Sequence, residues 1–330
     1  MGSPFGGPPG VPLAEWPFGE STRIVSIASG KGGVGKSSIT ANLAAELARR
    51  GYDVCVIDAD VYGFSIPKIL GISEEPRVEN EKIVPPEAFG VKVVSMGFFV
   101  PEDRAVIWRG PMLHKALQQF VTDVEWGRPD FLLIDMPPGT GDVAISISQF
   151  LPTSSVVLVT TPQEAAGRVA QRMASMAEKV GLRLLGVIEN MSYFQADDGK
   201  IYEIFGSGGG EELARRLGVP LLGKVPIDIA LRTGADSGKP VVVHTPESPA
   251  SLALREIAEK LESAPASPRP RPEDRFGSLE TRPVGGSGSD TGSGRVRQEG
   301  GGAGPGAGHR PPSSPFLQVT PKKRQPGGSS

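Results

Sequence analysis

Gly30-Lys31-Gly32-Gly33-Val34-Gly35-Lys36-Ser37 decides how this chain reads. The octapeptide fits the phosphate-loop pattern G-x-x-x-x-G-K-[ST], and its flanks supply the strand and helix that the pattern needs. Before it runs Arg23-Ile24-Val25-Ser26-Ile27-Ala28, apolar and β-branched like a buried strand. After it Ile39, Leu43 and Leu47 recur at helical spacing. Glycines let the backbone curl so that its N–H groups face a polyphosphate, and the next helix adds the partial positive charge of its N-terminus. Gly30, Lys31, Gly32, Gly33, Val34, Gly35, Lys36, Ser37 and Ser38 are therefore the expected binders of a nucleoside triphosphate. Lys36 reaches for the β- and γ-phosphates, and Ser37 offers a hydroxyl to Mg2+.

Lys31 fills a position that the general pattern leaves free. A cation there is badly placed to share the phosphate face of Lys36. It is either a solvated loop lysine or a group that reaches a nucleotide held by a second copy, as an arginine finger does in trans.

Working outward, Asp53-Val54-Cys55-Val56-Ile57-Asp58 reads as a second strand, close to the first by the βαβ rule. Further buried strands are expected at 91–95, 131–135, 155–160, 184–188 and 221–225, with helices at 112–124, 143–150, 165–180, 210–217 and 249–261. This alternation implies an α/β fold: a doubly wound, mostly parallel sheet with helices on both faces. Ligands of such sheets gather at the carboxyl ends of the strands. Three acids stand there. Asp135 ends Phe131-Leu132-Leu133-Ile134 and is expected to hold Mg2+ beside Ser37. Asp58 and Asp60 suit a Mg2+ shell and a water-orienting group, or else cap the helix-like stretch 65–70. The stiff segment Met136-Pro137-Pro138-Gly139-Thr140-Gly141-Asp142 reads as a switch that registers the γ-phosphate.

Composition sets the boundaries. Residues 265–330 hold 14 Gly and 11 Pro but only seven of Val, Ile, Leu and Phe, so this tail is expected to be disordered. Residues 1–20, also rich in Gly and Pro, read as a flexible leader, and 21–264 as one folded domain. Ten basic and five acidic residues give the tail +5; the remaining 25 basic and 32 acidic residues give the body −7. An acidic body argues against broad nucleic-acid binding. The tail's basic end, Pro321-Lys322-Lys323-Arg324, reads as a solvated terminus. No apolar run approaches the roughly 20 residues of a membrane span. The single cysteine, Cys55, excludes an internal disulfide and fits a reducing cytoplasm.

The string K-G-G-V-G-K-S resembles the deviant Walker A family of MinD, ParA, the nitrogenase iron protein and the Mrp/ApbC iron–sulfur carriers. Four stretches are similar to the Mrp/ApbC branch in particular: Asp58-Ala59-Asp60-Val61-Tyr62-Gly63 with Ser65-Ile66-Pro67, Trp108-Arg109-Gly110-Pro111-Met112, Asp135 to Asp142, and Glu189-Asn190-Met191-Ser192. Phe64 stands where the family usually has proline. The resemblance covers about residues 23–263 and implies a MinD-like P-loop NTPase fold that binds ATP and Mg2+. It also implies slow hydrolysis in a nucleotide-bridged homodimer, with Lys31 completing the partner's site and Asp60 placing the attacking water. Asn190 would read the base, and Pro226 and Asp228 would close the base pocket. The partners implied are apoprotein clients or iron–sulfur assembly proteins, and the cargo a [4Fe–4S] cluster.

One departure bears on that cargo. The family usually presents C-x-x-C shortly after the Asn-Met-Ser segment, two thiolates from each chain of a dimer. Here residues 193–206 contain neither cysteine nor histidine, whereas cluster iron wants sulfur ligands. Asp197-Asp198-Gly199 reads instead as a hairpin turn between Phe194 and Ile201. A cluster-free, ATP-switched scaffold is therefore the alternative to a cluster carrier. A positioning ATPase of the MinD/ParA kind ranks last, for want of a basic surface or a C-terminal amphipathic helix.

Overall fold

The computed structural model describes residues 18–61, 63–99, 110–139 and 141–266. Most of the leader and of the tail lie outside the described residues, as do Tyr62, Trp108, Arg109 and Thr140 of the diagnostic strings. In chain order the elements are β1 (Arg23–Ser29), α1 (Lys36–Arg49), β2 (Val54–Asp58), α2 (Ile66–Ile69), β3 (Arg77–Glu79), β4 (Lys82–Val84), β5 (Glu87–Ala88) and β6 (Val91–Ser95). A 3-10 turn over Met96–Phe99 comes next, then α3 (Gly110–Thr122), β7 (Phe131–Asp135), α4 (Gly141–Phe150), β8 (Ser155–Thr160), α5 (Glu164–Lys179) and β9 (Arg183–Gln195). The chain closes with β10 (Ile201–Tyr202), α6 (Gly209–Leu217), β11 (Leu221–Ile227), α7 (Ile229–Ser237), α8 (Val241–His244) and α9 (Pro249–Ser263).

The main sheet runs β5-β6-β2-β7-β1-β8-β9-β10, and β11 also pairs with β9. Within this sheet, among the described residues, only the β5–β6 and β9–β10 pairs are antiparallel. Strands β2, β7 and β8 are buried along their whole length, as both-sided cover of a parallel sheet requires. Alternate residues serve opposite faces. Val25, Ile27, Val54, Val56, Phe131, Leu133, Val157 and Val159 join one core cluster with Ile39, Leu43 and Leu47 of α1 and Leu254 and Ile257 of α9. Ile24, Cys55, Ile57, Leu132 and Ile134 are buried between them. Each such side chain contributes roughly 1.5–3 kcal/mol by leaving water.

Two expectations about strand placement need correction. Strands β1 and β2 are not neighbours, because β7 lies between them and pairs with both. The crossover through α1 skips one position, which β7 fills later in the chain; adjacency of consecutive strands is a tendency only. Asp135 thereby faces Ile27 on one side and Asp58 on the other. Nor does the strand expected at 184–188 stop there. Strand β9 continues to Gln195, past a left-handed Met191 (φ 55°). Its extension forms the expected hairpin, with Phe194 and Gln195 opposite Tyr202 and Ile201.

Candidate nucleotide-binding site

The loop between β1 and α1 is shaped by two left-handed glycines, Gly33 (φ 78°) and Gly35 (φ 79°), which other residues adopt only under strain. Gly35 also caps α1. A Cβ at Gly35 would lie 2.2 Å from Asn190 Nδ2, so only glycine lets the β9 side chain close in. At Gly33 a Cβ would meet nothing within 4 Å, and Gly32 and Gly33 are exposed. The outer arch of the loop is open.

Lys36 is 5% exposed. Its Nζ lies 2.8 Å from Asp135 Oδ2 and 3.8 Å from Asp60 Oδ2, and donates to Ser37 Oγ at 3.3 Å. Ser37 Oγ donates to Asp135 Oδ2 at 2.6 Å. Asp135 Oδ1 faces the Thr40 hydroxyl at 2.9 Å, which also lies 3.0 Å from the Lys36 carbonyl. Sequence reading did not single out Thr40, although its place one turn after Lys36 puts it on the same helix face.

Asp58 is fully buried. Its Oδ2 accepts from Ser95 Oγ at 3.0 Å and from the Ile66 N–H at 3.3 Å, and its Oδ1 from the Asp60 N–H at 3.3 Å. Burial, then the facing Asp135 carboxylate, push its pKa up to about 8. Both of its oxygens are engaged, one on the first residue of α2, so Asp58 does cap that helix. It pairs in register with Asp135 across the β2–β7 ladder. Asp60 turns Oδ1 to the Gly63 N–H at 3.2 Å and Oδ2 toward Lys36.

The base-side residues behave differently from one another. Asn190 is buried; Nδ2 donates to the Val34 carbonyl at 2.8 Å, while Oδ1 is an acceptor without a partner among the described residues. Asp228 spends both oxygens on helix starts, with Oδ1 accepting from the Ala230 N–H at 2.7 Å and Oδ2 from the Ala250 N–H at 3.2 Å. Pro226 is buried in β11. Expected together at the base pocket, Asn190 reaches the loop and Asp228 is a double helix cap.

Lys31 donates from Nζ to Gln163 Oε1 at 2.9 Å. Gln163 is the N-cap residue of α5, so the signature lysine lies along its own chain in this conformation. On the opposite wall, the Gly139 N–H donates to the Ser29 carbonyl at 3.1 Å, which brings the Pro-Pro-Gly segment against the loop.

An open glycine arch, a buried lysine over paired hydroxyl and carboxylate, and an orphaned buried acceptor fit a nucleoside triphosphate. The hard oxygens of Ser37 and Asp135 suit Mg2+. A phosphate loop at the central strand of a parallel sheet, facing an acid that ends the adjacent strand, defines a P-loop NTPase.

Within that class, the model for the ParA-type NUBPL iron-transfer P-loop NTPases matches residues 20–262, and the chain belongs to this family. The chain is 48% identical over 261 residues to the iron-sulfur cluster carrier protein of Mycobacterium leprae, covering 77% of this chain and 68% of the relative. It is 52% identical over 205 residues to that of Bacillus subtilis, covering 62% and 58%. The match spans about two thirds of these curated relatives' length. Among solved structures, the Archaeoglobus fulgidus nucleotide-binding protein in complex with ADP is 35% identical (TM-score 0.60, covering 69% of this chain and 90% of that one). MinD with Mg-ADP from Pyrococcus horikoshii is 27% identical (TM-score 0.55, covering 73% and 96%).

Cluster ligands are a different matter. Cys55 is buried and, among the described residues, no group of three or more His, Cys, Asp or Glu side chains could hold a metal ion. The residues described do not fit a thiolate-bound cluster.

Proposed function

We propose that this chain binds ATP with Mg2+, hydrolyses it slowly as a nucleotide-bridged homodimer, and serves iron–sulfur cluster assembly on apoprotein clients. The observation that carries the nucleotide half is the buried Lys36–Ser37–Asp135 cluster beneath an open glycine arch. The kinship with iron-sulfur cluster carrier proteins supports the other half.

Phosphoryl transfer asks for positioning and neutralisation of charge more than for covalent chemistry. Lys36 holds the terminal phosphates, and Ser37 and Asp135 would hold Mg2+, which would neutralise phosphate charge. Asp60 orients the attacking water. Thr40 fixes the Asp135 carboxylate, and Asp58 buttresses it. Asn190 Oδ1 accepts from an amino group on the base, as adenine presents. Lys31 leaves Gln163 and completes the partner's site.

Lys36→Ala is expected to abolish ATP binding. Lys31→Ala is expected to keep ATP binding by single chains but to lower turnover by about tenfold or more. Steady-state phosphate release measured beside equilibrium nucleotide binding separates the two. Unchanged turnover in Lys31→Ala protein would falsify the role in trans.

A second reading is favoured by the thiol-free stretch 193–206: an ATP-switched scaffold that carries no cluster. Anaerobic reconstitution with iron and sulfide decides. A visible thiolate-to-iron charge-transfer band favours the carrier; a featureless spectrum with intact ATP binding favours the scaffold.

A further inference from the structure

Gln163 opens α5 without spending its side chain on the helix. Its backbone is extended (φ −61°, ψ 129°), and no side-chain cap bond forms. Its carbonyl instead accepts from the Ala166 N–H at 2.9 Å and from the Gly167 N–H at 3.4 Å. The side-chain amide is left for another partner, and its Oε1 accepts from Lys31 Nζ at 2.9 Å, across 132 positions of chain.

Lys31 comes to that oxygen from a fixed base. Gly30 lies so close to α5 that a Cβ there would sit 2.4 Å from the Ala170 backbone nitrogen and 2.5 Å from the Val169 carbonyl carbon. Ser29 Oγ donates to the Lys31 carbonyl at 3.1 Å, and the Ser29 carbonyl accepts from the Gly139 N–H at 3.1 Å. With the backbone pinned on both sides, the lysine side chain is the part that can change partners. The bond that holds it is weak by construction. An ammonium at the start of a helix meets the positive end of the macrodipole, which works against the contact. The bond is also exposed and its acceptor neutral, whereas phosphate oxygens offer charge-assisted bonds of roughly twice the strength.

We propose that Gln163 is a positioning residue: it latches Lys31 to its own chain and so sets how readily two nucleotide-loaded chains assemble. This rests on the reading of Lys31 as a group that acts in trans. A latched lysine is withheld from the neighbour's phosphates, so each chain must break the bond to Gln163 before the clasp closes. One exposed hydrogen bond is worth about threefold in an equilibrium. Two chains break two such bonds, and independent sites add in free energy, so the pair is worth about tenfold. The nucleotide supplies the stronger acceptor that draws the lysine away, which makes assembly follow nucleotide loading rather than precede it.

The test takes two readouts on the full chain. In the first, nucleotide-free single chains meet an amine-acylating reagent briefly, and mass spectrometry reads the rate at Lys31 against the exposed Lys239. Gln163→Ala is expected to raise that rate about threefold, and Gln163→Glu, which offers the ammonium a charged acceptor, to lower it. In the second, sedimentation velocity with Mg2+ and ATPγS gives the dimer dissociation constant. Gln163→Ala is expected to tighten the dimer about tenfold and Gln163→Glu to loosen it, while Gln163→Ala added to Lys31→Ala changes nothing. A merely structural role for Gln163 in α5 would not depend on Lys31 in this way. Unchanged acylation of Lys31 in both variants overturns the latch. Changed acylation with dimer constants equal to wild type, while Lys31→Ala loosens the dimer, overturns the control of assembly and leaves the role of Lys31 in trans intact. A Lys31→Ala dimer as tight as wild type overturns that role and the control built on it, as does the lack of any wild-type dimer at saturating ATPγS.

Discussion

Cys55 sits within β2 with Sγ 3.9 Å from the Trp126 carbonyl, and burial pushes its thiol up to about 12. A thiol so held is a packing residue; the reactive and metal-binding form is the thiolate. A disulfide reagent at pH 8 should leave native protein unlabelled and take one equivalent per chain in denaturant. Labelling of native protein would show that β2 opens or that the residue faces solvent. This much was legible from Cys55 in an apolar run. The resemblance pointed to Asn190 as a base reader, but its bond to the Val34 carbonyl was not legible, since that contact joins residues 156 positions apart. Ser95 escaped notice because a serine ending a strand is common, and only the fold brings it to Asp58.

At the scale of elements, the caps show why motif carry-over is least secure at chain turns. Asp228 stands just after a strand, which suits a ligand residue, but it precedes α7, which suits an N-cap, and the structure uses it as the latter. Asp228→Ala should lower stability by about 1–2 kcal/mol for the lost α7 cap alone, read by urea denaturation. Unaltered stability with weakened ATP binding would favour the base-pocket role over the cap. Helices α3, α4, α5, α6 and α9 fall close to where their periodicity placed them, because each buries one stripe of side chains. The β3–β4 hairpin was not legible: Arg77-Val78-Glu79 is exposed, its turn rests on left-handed Asn80 and Glu81, and Ile83 alone among its strand residues is buried. The position of β7 between β1 and β2 was hidden for another reason. Local pattern gives the number of strands and their ends, while their order depends on which gap each crossover leaves open.

On the scale of the whole molecule, the sheet brings Lys36, Ser37, Thr40, Asp58, Asp60 and Asp135 together from β1–α1, β2 and β7. Lys31 and Gln163 lie at the edge of that cluster. The family model matches residues 20–262. Among the described residues no helix is long and apolar enough to cross a membrane. The assembly expected of this site is a clasp of two chains over two nucleotides, with Lys31 drawn from its own α5 to the neighbour's phosphates. Native mass spectrometry of the full chain with Mg2+ and ATPγS tests this most directly. The predicted species is two chains carrying two nucleotides, lost in Lys36→Ala protein; a single chain without nucleotide, at concentrations where ATP should saturate, would contradict it.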